Sequence, residues 1–308
     1  MKELKQFLNE SQQNLSEALI TFGGKPYPKA GNILILAGGA GSGKGFILSN
    51  LVGMEGKTFD VDELKKLAMT SKDFAAKVKQ ETGHDLTKFN LKKPKDVSTV
   101  HELLGNMYQI DSKYKNAMFK SVIATAPDRK PNLIFDVTLK NMKKLQEIAT
   151  QAEMLGYDKK NIHVVWVVNE LDVAIKQNLE RDRTVPQDIL IDTHEGAALT
   201  MKKILSMGSG ITKYLDGDIF LAFNKFKVDA DLVKSKKGGS YIKKANYIKV
   251  KAVGKAPTHP DKLDREIYDK IAKYTPKIDT WGESIDINLD GDSLSEAQEK
   301  LNESTESI

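Results

Sequence analysis

The stretch Asn32-Ile33-Leu34-Ile35-Leu36-Ala37-Gly38-Gly39-Ala40-Gly41-Ser42-Gly43-Lys44-Gly45-Phe46 decides the fold. Its apolar run, bounded by Asn32 and Gly38, predicts a strand buried on both faces, as in a parallel sheet covered by helices. The glycines that follow remove side chains that would keep backbone N–H groups from converging on an anion. Beyond Lys44, Phe46, Ile47, Leu48 and Leu51 recur at helical spacing. A strand, a G-x-x-x-x-G-K loop and a helix in that order form a phosphate cradle: the N–H groups and the helix start face the oxygens, and the lysine neutralises charge on the β- and γ-phosphates. Gly38, Gly39, Ala40, Gly41, Ser42, Gly43, Lys44, Gly45 and Phe46 are therefore the expected cofactor-binding residues, with ATP as the ligand.

The loop departs from the common pattern at one place. A Ser or Thr usually follows the lysine and ligates Mg²⁺ through its hydroxyl, whereas here the residue is Gly45. The loop resembles that of adenylate kinases and related small-molecule kinases, in which a glycine also follows the lysine and a threonine comes next; here that residue is Phe46. Magnesium is then expected to be held through Ser42, water and carboxylates elsewhere, with Asp136 as the metal ligand.

Outward from the loop, apolar runs alternate with longer amphipathic stretches, the pattern of βαβ units around a parallel sheet. Strands are predicted at Ile33–Ala37, Thr58–Val61, Leu133–Asp136, His163–Val168 and Ile219–Phe223. The fold class is α/β: a P-loop NTPase of three α/β/α layers with a mainly parallel sheet. Residues Asp62 to about Thr125 form a helical insertion after the second strand, too long for a plain crossover and placed to cover a substrate. A C-terminal hairpin extension follows the turn Gly238-Gly239, with strand-like composition over Ser240–Val253 and a helix over Asp261–Tyr274. The expected organisation is an amphipathic leader helix over 1–24, a kinase-type domain over 25–224, a basic hairpin and helix over 225–285, and an acidic tail over 286–308.

Open α/β sheets bind ligands at the carboxyl ends of their strands, and acids sit there. The second strand leads into Asp60-Val61-Asp62-Glu63. A carboxylate at that place can orient and deprotonate a hydroxyl acceptor; Asp62 is the first choice, Asp60 the other, and Asp62 capping a helix that starts at Glu63 is the structural reading. Asn132-Leu133-Ile134-Phe135-Asp136 has the form of a Walker B strand, with Thr138 beside Asp136 at the same edge, and Asp60 and Thr138 are expected to meet the substrate. After the fourth strand a helix carries Asn178, Arg181 and Arg183 toward Val185-Pro186. Arg181 and Arg183 suit charge developing on a transferred phosphoryl group, the alternative being surface pairing with Glu180 and Asp182.

With these residues assembled, the chain from about Asn32 to Phe223 resembles the zeta-toxin-like P-loop kinases found in bacterial toxins and many phage genomes, a design shared with polynucleotide kinases. The resemblance implies ATP-dependent phosphorylation of a hydroxyl, with Lys44 and Arg183 on the phosphates, Arg181 a second candidate, Asp62 as base, and Asp136 where the family usually has glutamate. His194 falls where such kinases often begin a helix and is expected to be structural. Toxin members phosphorylate an activated amino sugar, and related phage kinases act on modified bases in DNA, so the acceptor class stays open between nucleotide or nucleic acid and sugar-type metabolite. The region after Asn224 lies outside the resemblance.

Composition narrows the classes further. The chain has 308 residues and no cysteine, which excludes thiol chemistry, disulfide scaffolds and thiolate zinc sites. No run of about eighteen apolar residues and no signal-peptide pattern is present, so a soluble, cytoplasmic protein is expected. Net charge is a mild +5, but Lys234, Lys236, Lys237, Lys243, Lys244, Lys249, Lys251 and Lys255 crowd one stretch with Tyr241 and Tyr247. That hairpin suits nucleic acid, or is an edge defended by lysines against aggregation. Phe7-Leu8-Asn9-Glu10 and Leu15-Ser16-Glu17 in the leader vaguely resemble the short sites cut in targeting peptides of tailed-phage head proteins, which raises virion packaging. The competing reading of the whole chain is a nucleotide-binding, virion-associated or structural protein whose Gly45-Phe46 marks weak or lost catalysis.

Overall fold

The computed structural model describes residues 20–23, 30–181, 184–224, 230–234, 240–245, 247–263 and 271. In chain order the elements are β1 (Ile33–Ala37), α1 (Lys44–Asn50), β2 (Lys57–Phe59), α2 (Val61–Thr70), α3 (Lys72–Thr82), α4 (Pro94–Val100), α5 (Ile110–Ile123), β3 (Leu133–Val137), α6 (Met142–Met154), β4 (Ile162–Asn169), α7 (Leu171–Glu180), α8 (Gln187–Ser206), β5 (Ile219–Asn224), β6 (Ala230–Lys234), β7 (Ser240–Ala245) and β8 (Tyr247–Lys251). One sheet has the order β2-β3-β1-β4-β5-β8, parallel throughout except for β8, which pairs antiparallel with β5. β6 and β7 form a separate antiparallel pair. This is the expected P-loop α/β architecture with its helical insertion; the two strands within Ser240–Val253, however, do not pair with each other, since β7 pairs with β6 and β8 joins the main sheet on β5.

Strand alternation divides the core cleanly. Ile33, Ile35, Phe135, Val164, Trp166 and Leu221 face one layer, which includes Leu145, Ile148, Met201 and Leu205. Leu34, Leu36, Ile134, Val165, Val167 and Phe220 face the other, where Ile47 and Leu51 cover them together with Ile20 and Phe22. The insertion has a core of its own, built on Val78, Leu86, Val100, Leu103, Leu104 and Tyr108. Its last helix, α5, also joins the sheet's core through Met118 and Val122.

Two sequence expectations need correction. The second strand ends at Phe59 instead of running to Val61, because the Asp60 carboxylate accepts the N–H groups of Asp62 (2.8 Å) and Glu63 (3.3 Å) and starts α2 at once. The predicted leader helix does not reach residue 22: Ile20 is extended and bridges Val52 in parallel, its N–H on Leu51 O (2.6 Å) and its carbonyl accepting from Gly53 (3.0 Å). Burying the Phe22 ring beside Phe220 contributes roughly 2 kcal/mol. Residues 1–19, Gly24, Arg183, the 238–239 turn and the tail over 286–308 lie outside the described residues. Of the helix predicted over 261–274, Pro260–Lys262 form a single 3₁₀ turn, and most of the remainder lies outside them as well.

At the end of the sheet opposite the glycine loop, a buried polar knot ties the segments together. Asp218 accepts from Gly23 N (2.6 Å) and Val253 N (3.2 Å), and Lys249 lies 3.3 Å from it. Asp218 N–H donates to His163 Nδ1 at 2.9 Å, so the His163 proton sits on Nε2, which points at Asn32 Oδ1 (3.3 Å). Burial, helped by Lys249 and Lys251 and opposed by Asp218, pushes His163 down to about 4. A histidine whose folded value lies below its unfolded one contributes stability that is complete above the unfolded value and is lost as pH falls toward the folded one. The window runs from about 6.5 down to about 4, and its size is about 3 kcal/mol. Urea unfolding across that range should show stability falling steeply in the native chain and less steeply in His163→Gln; parallel slopes would exclude this histidine as the cause.

Candidate active site

The loop Gly38–Gly43 leaves β1 in the middle of the sheet, between β3 and β4, and is held from four directions. A Cβ on Gly38 would stand 2.6 Å from Val167 O, and one on Gly41 would stand 2.6 Å from Ala174 O. On Gly39 it would enter the His194 ring, and on Gly43 the Asn224 amide. Gly38, Gly41 and Gly43 also have positive φ (149°, 73° and 85°). The Asn224 amide donates to Ser42 O at 2.9 Å, and the Ala40 peptide is gripped by Thr193 and His194. Burial and the nearby Lys44 push His194 below the usual imidazole range, while its bond to Ala40 opposes the shift.

Lys44 folds back on this loop. Its Nζ donates to Gly38 O (2.9 Å) and Gly39 O (3.3 Å) and lies 3.6 Å from Asp136 Oδ1. Asp136 is pushed above the ordinary carboxylate range by burial first; Lys44 opposes this, and the negative charges of Asp60 and Asp62 add to it. Lys44, Asp60, Asp62 and Asp136 are thus gathered at one strand edge. Asp60 is spent on the α2 cap, so the capping role considered for Asp62 belongs to Asp60 instead. Asp62 lies in the first turn of α2 and lines a small cavity with Lys65, Leu91, Val97, Val100 and His101.

The residues present fit a polyphosphate. Ser42 is 1% exposed, and its Oγ has no hydrogen-bond partner among the described residues. A buried hydroxyl left that way costs about 1–3 kcal/mol, which a phosphate oxygen would recover. No side chain caps α1, so its first-turn N–H groups remain for an anion. Gly45 faces open space, and Phe46 packs instead on the core layer of Ile47 and Leu51. For a divalent cation the available donor is the Asp136 carboxylate; among the described residues no three acidic or histidine groups converge into a cage.

Beyond Asp136 the chain turns through Leu139, which is buried at φ 51°, a costly conformation for a bulky residue. Thr138 and Lys140 on either side of it line a cavity of about 380 Å³ with Asn141, Lys143, Lys144 and Glu147. Lys140 pairs with Asp192 (2.9 Å) and Lys144 with Glu147 (2.9 Å). Arg181 stands apart, exposed at the end of α7, where Asn178 clasps Val185 through two hydrogen bonds (2.7 and 2.9 Å). Of the lysines assigned to a nucleic-acid hairpin, Lys251 is buried on Asp216 (3.0 Å), and Lys249 is engaged with Asp218 and the Phe220 ring.

Sequence reasoning missed Thr193, Asn169 and Asn224 and misplaced His194, which lies inside α8 rather than at its start. Asn169 and Asn224 had a readable signal. Each is a polar residue ending an otherwise apolar strand, and the two are register partners beside the loop. Thr193 and His194 had none, because they read as ordinary positions of an amphipathic helix.

No family model matches the sequence, and no curated protein matches it. Among solved structures the chain is similar to the AvrRxo1-ORF1:-ORF2 complex, at 13% identity and a TM-score of 0.46, with 82% of this chain and 66% of that one covered. The same complex with ATP gives 13% identity and 0.45, over 83% and 66%. A structure of the PezAT chromosomal toxin-antitoxin system of Streptococcus pneumoniae gives 13% and 0.42, over 98% and 96%. The chain thus spans just under two thirds of the first of these structures. Among the described residues no helix is long and apolar enough to cross a membrane.

The raised Asp136 carries a direct consequence. Ionising it costs folding free energy at neutral pH, so Asp136→Asn should raise the melting temperature. A lower melting temperature in scanning calorimetry would show that the pairing with Lys44 outweighs the burial cost.

Proposed function

We propose that this protein is an ATP-dependent kinase that transfers the γ-phosphoryl group to a hydroxyl of a nucleotide-like or sugar-type acceptor. The observation that carries the reading is the meeting of Lys44, on a phosphate loop, with Asp136 at 3.6 Å and with Asp60 and Asp62 near enough to bias Asp136. One carboxylate beside the loop suffices to hold the nucleotide's magnesium; a second, Asp62, is what a hydroxyl acceptor needs to be oriented and to lose its proton.

In this reading Lys44 exchanges the carbonyls of Gly38 and Gly39 for β- and γ-phosphate oxygens, and the Ser42 hydroxyl gains the partner it lacks. The acceptor occupies the cavity beside Thr138, lined by Lys140, Lys143, Lys144 and Glu147, where Lys140 is paired with Asp192 and Lys144 with Glu147. Its hydroxyl oxygen bonds the γ-phosphorus as the bond to the ADP oxygen breaks, and its proton passes to Asp62. Asp60 holds the helix that carries this base. Arg183 supplies positive charge to the transferred group, a role that Arg181, standing apart at the end of α7, does not share. Magnesium would be held by Asp136 and water and would neutralise charge on the phosphate oxygens. A nucleic-acid acceptor gripped by the hairpin is less favoured, because Lys249 and Lys251 are committed to Asp218 and Asp216.

Incubation with γ-labelled ATP and panels of nucleosides, nucleotides, nucleotide sugars and modified DNA should reveal a labelled product, with kcat reduced roughly 10²–10⁴-fold in Asp62→Asn at retained ATP affinity. Bound ATP without transfer to any acceptor would leave a nucleotide-binding protein. A separate measurement addresses the metal. Because a Cβ at Gly45 meets nothing within 4 Å, Gly45→Ser should fold normally and lower the magnesium concentration needed for half-maximal ATP binding. An unchanged magnesium dependence would place the metal away from the first turn of α1.

A further inference from the structure

Both backbone polar groups of Ala40, one in the Gly39–Ala40 peptide and one in the Ala40–Gly41 peptide, are held by adjacent residues of one helix. Its N–H donates to Thr193 Oγ1 at 3.0 Å, and its carbonyl accepts from His194 Nε2 at 2.8 Å. Thr193 has a single hydroxyl proton and gives it to Leu190 O at 2.7 Å, so a lone pair is what it turns toward Ala40. The carbonyl can only accept, so Nε2 of His194 carries its proton. Both side chains are buried, at 8% and 7% exposed. The helix behind them is a firm support: Leu190, Ala197, Ala198, Met201, Ile204 and Leu205 of α8 are all buried.

Gly39 supplies the second observation. Unlike Gly38, Gly41 and Gly43, it is not in the left-handed region, so its backbone would accept any residue. What forbids a side chain there is the imidazole of His194, into which a Cβ would project. The loop and the helix are therefore fitted to each other at this point.

We infer that Thr193 and His194 are positioning residues for the nucleotide, acting through Ala40. By taking the N–H of the Gly39–Ala40 peptide and the carbonyl of the Ala40–Gly41 peptide they fix two successive peptide planes of the loop and leave the phosphate hollow to Ser42, Lys44 and the start of α1. Nothing in the loop's own sequence performs this task, since Ala40 has no polar side chain. The inference rests on the reading of Gly38–Lys44 as a nucleotide site.

The test is a double-mutant cycle on ATP affinity, measured by calorimetry on the full chain, with melting curves for every variant. Gly39→Ala should weaken ATP binding about 100-fold or more. His194→Ala should weaken it about 10-fold, in line with the loss of one buried hydrogen bond. Combining them should bind ATP at least 10-fold better than Gly39→Ala alone, because the clash is gone. Independently, Thr193→Val should raise the ATP Kd and KM several-fold with the acceptor KM unchanged, and Thr193→Ser should restore them. A double variant no better than Gly39→Ala, or Thr193→Val matching Thr193→Ser, overturns the inference while leaving the nucleotide site intact. Failure of the native chain to bind ATP overturns both. Should Gly39→Ala fail to fold, the Thr193 pair decides alone.

Discussion

The adjacency of β1 and β3 is the constraint on which the site depends. The two strands run parallel, with Leu36 opposite Asp136 and Ala37 opposite Val137. β1 must therefore release its loop at the level where β3 presents its acid. Lys44 lies seven positions after Ala37, yet its ammonium comes back to within 3.6 Å of Asp136 because the glycine loop reverses over the strand ends. Were the pairing to slip by one residue, side-chain alternation would turn Asp136 toward the opposite layer and the lysine would lose its counter-charge. The ion pair is thus a consequence of sheet register, and the register is enforced by apolar residues on both faces of every central strand.

The loop is moulded from outside as much as from within. Val167 closes on Gly38 from β4, Ala174 on Gly41 from α7, His194 on Gly39 from α8, and Asn224 on Gly43 from β5. Each contact leaves room for hydrogen only. The shape that receives an anion is thus the joint product of segments spread over nearly two hundred residues, and the glycines are as much a record of those neighbours as of backbone torsion. Such a site forms only when the sheet and its helices are complete, which ties ligand binding to global folding.

Much of the architecture was legible in sequence because its signals are local. An apolar run before a glycine loop, apolar stripes between loops, and an acid after an apolar strand can each be read within a short window. Element boundaries were less legible: whether Asp60 continued a strand or capped a helix depended on where its side chain turned, and the cap won because two backbone N–H groups were waiting for an acceptor. His194 and Thr193 could not be recognised at all. Their meaning lies in a contact with Ala40, about 150 residues away, and a histidine on the buried face of a long helix carries no mark of what it touches. Ile20 was misread for a related reason, since an amphipathic pattern does not reveal that the backbone beside it will be captured by Leu51 and Gly53.

Gly45 and Phe46, which depart from the common loop sequence, make sense once α1 is considered as a helix. It has only seven residues, too few to be stable by itself, and must be anchored by packing. Phe46, Ile47 and Leu48 provide that anchor against Leu34, Leu36, Val167 and Phe220, in a layer completed by Ile20 and Phe22. A hydroxyl residue in place of Phe46 would serve a metal and weaken the anchor. With Phe46 committed to packing and Gly45 offering no side chain, the first turn of α1 presents no hydroxyl beside Lys44, and the polar side chain opposite that lysine is Asp136 from β3. The N-terminal strand segment then becomes part of the loop's support: Ile20 pairs with the chain immediately after α1, so whatever loosens residues 20–23 also loosens the helix that begins at Lys44.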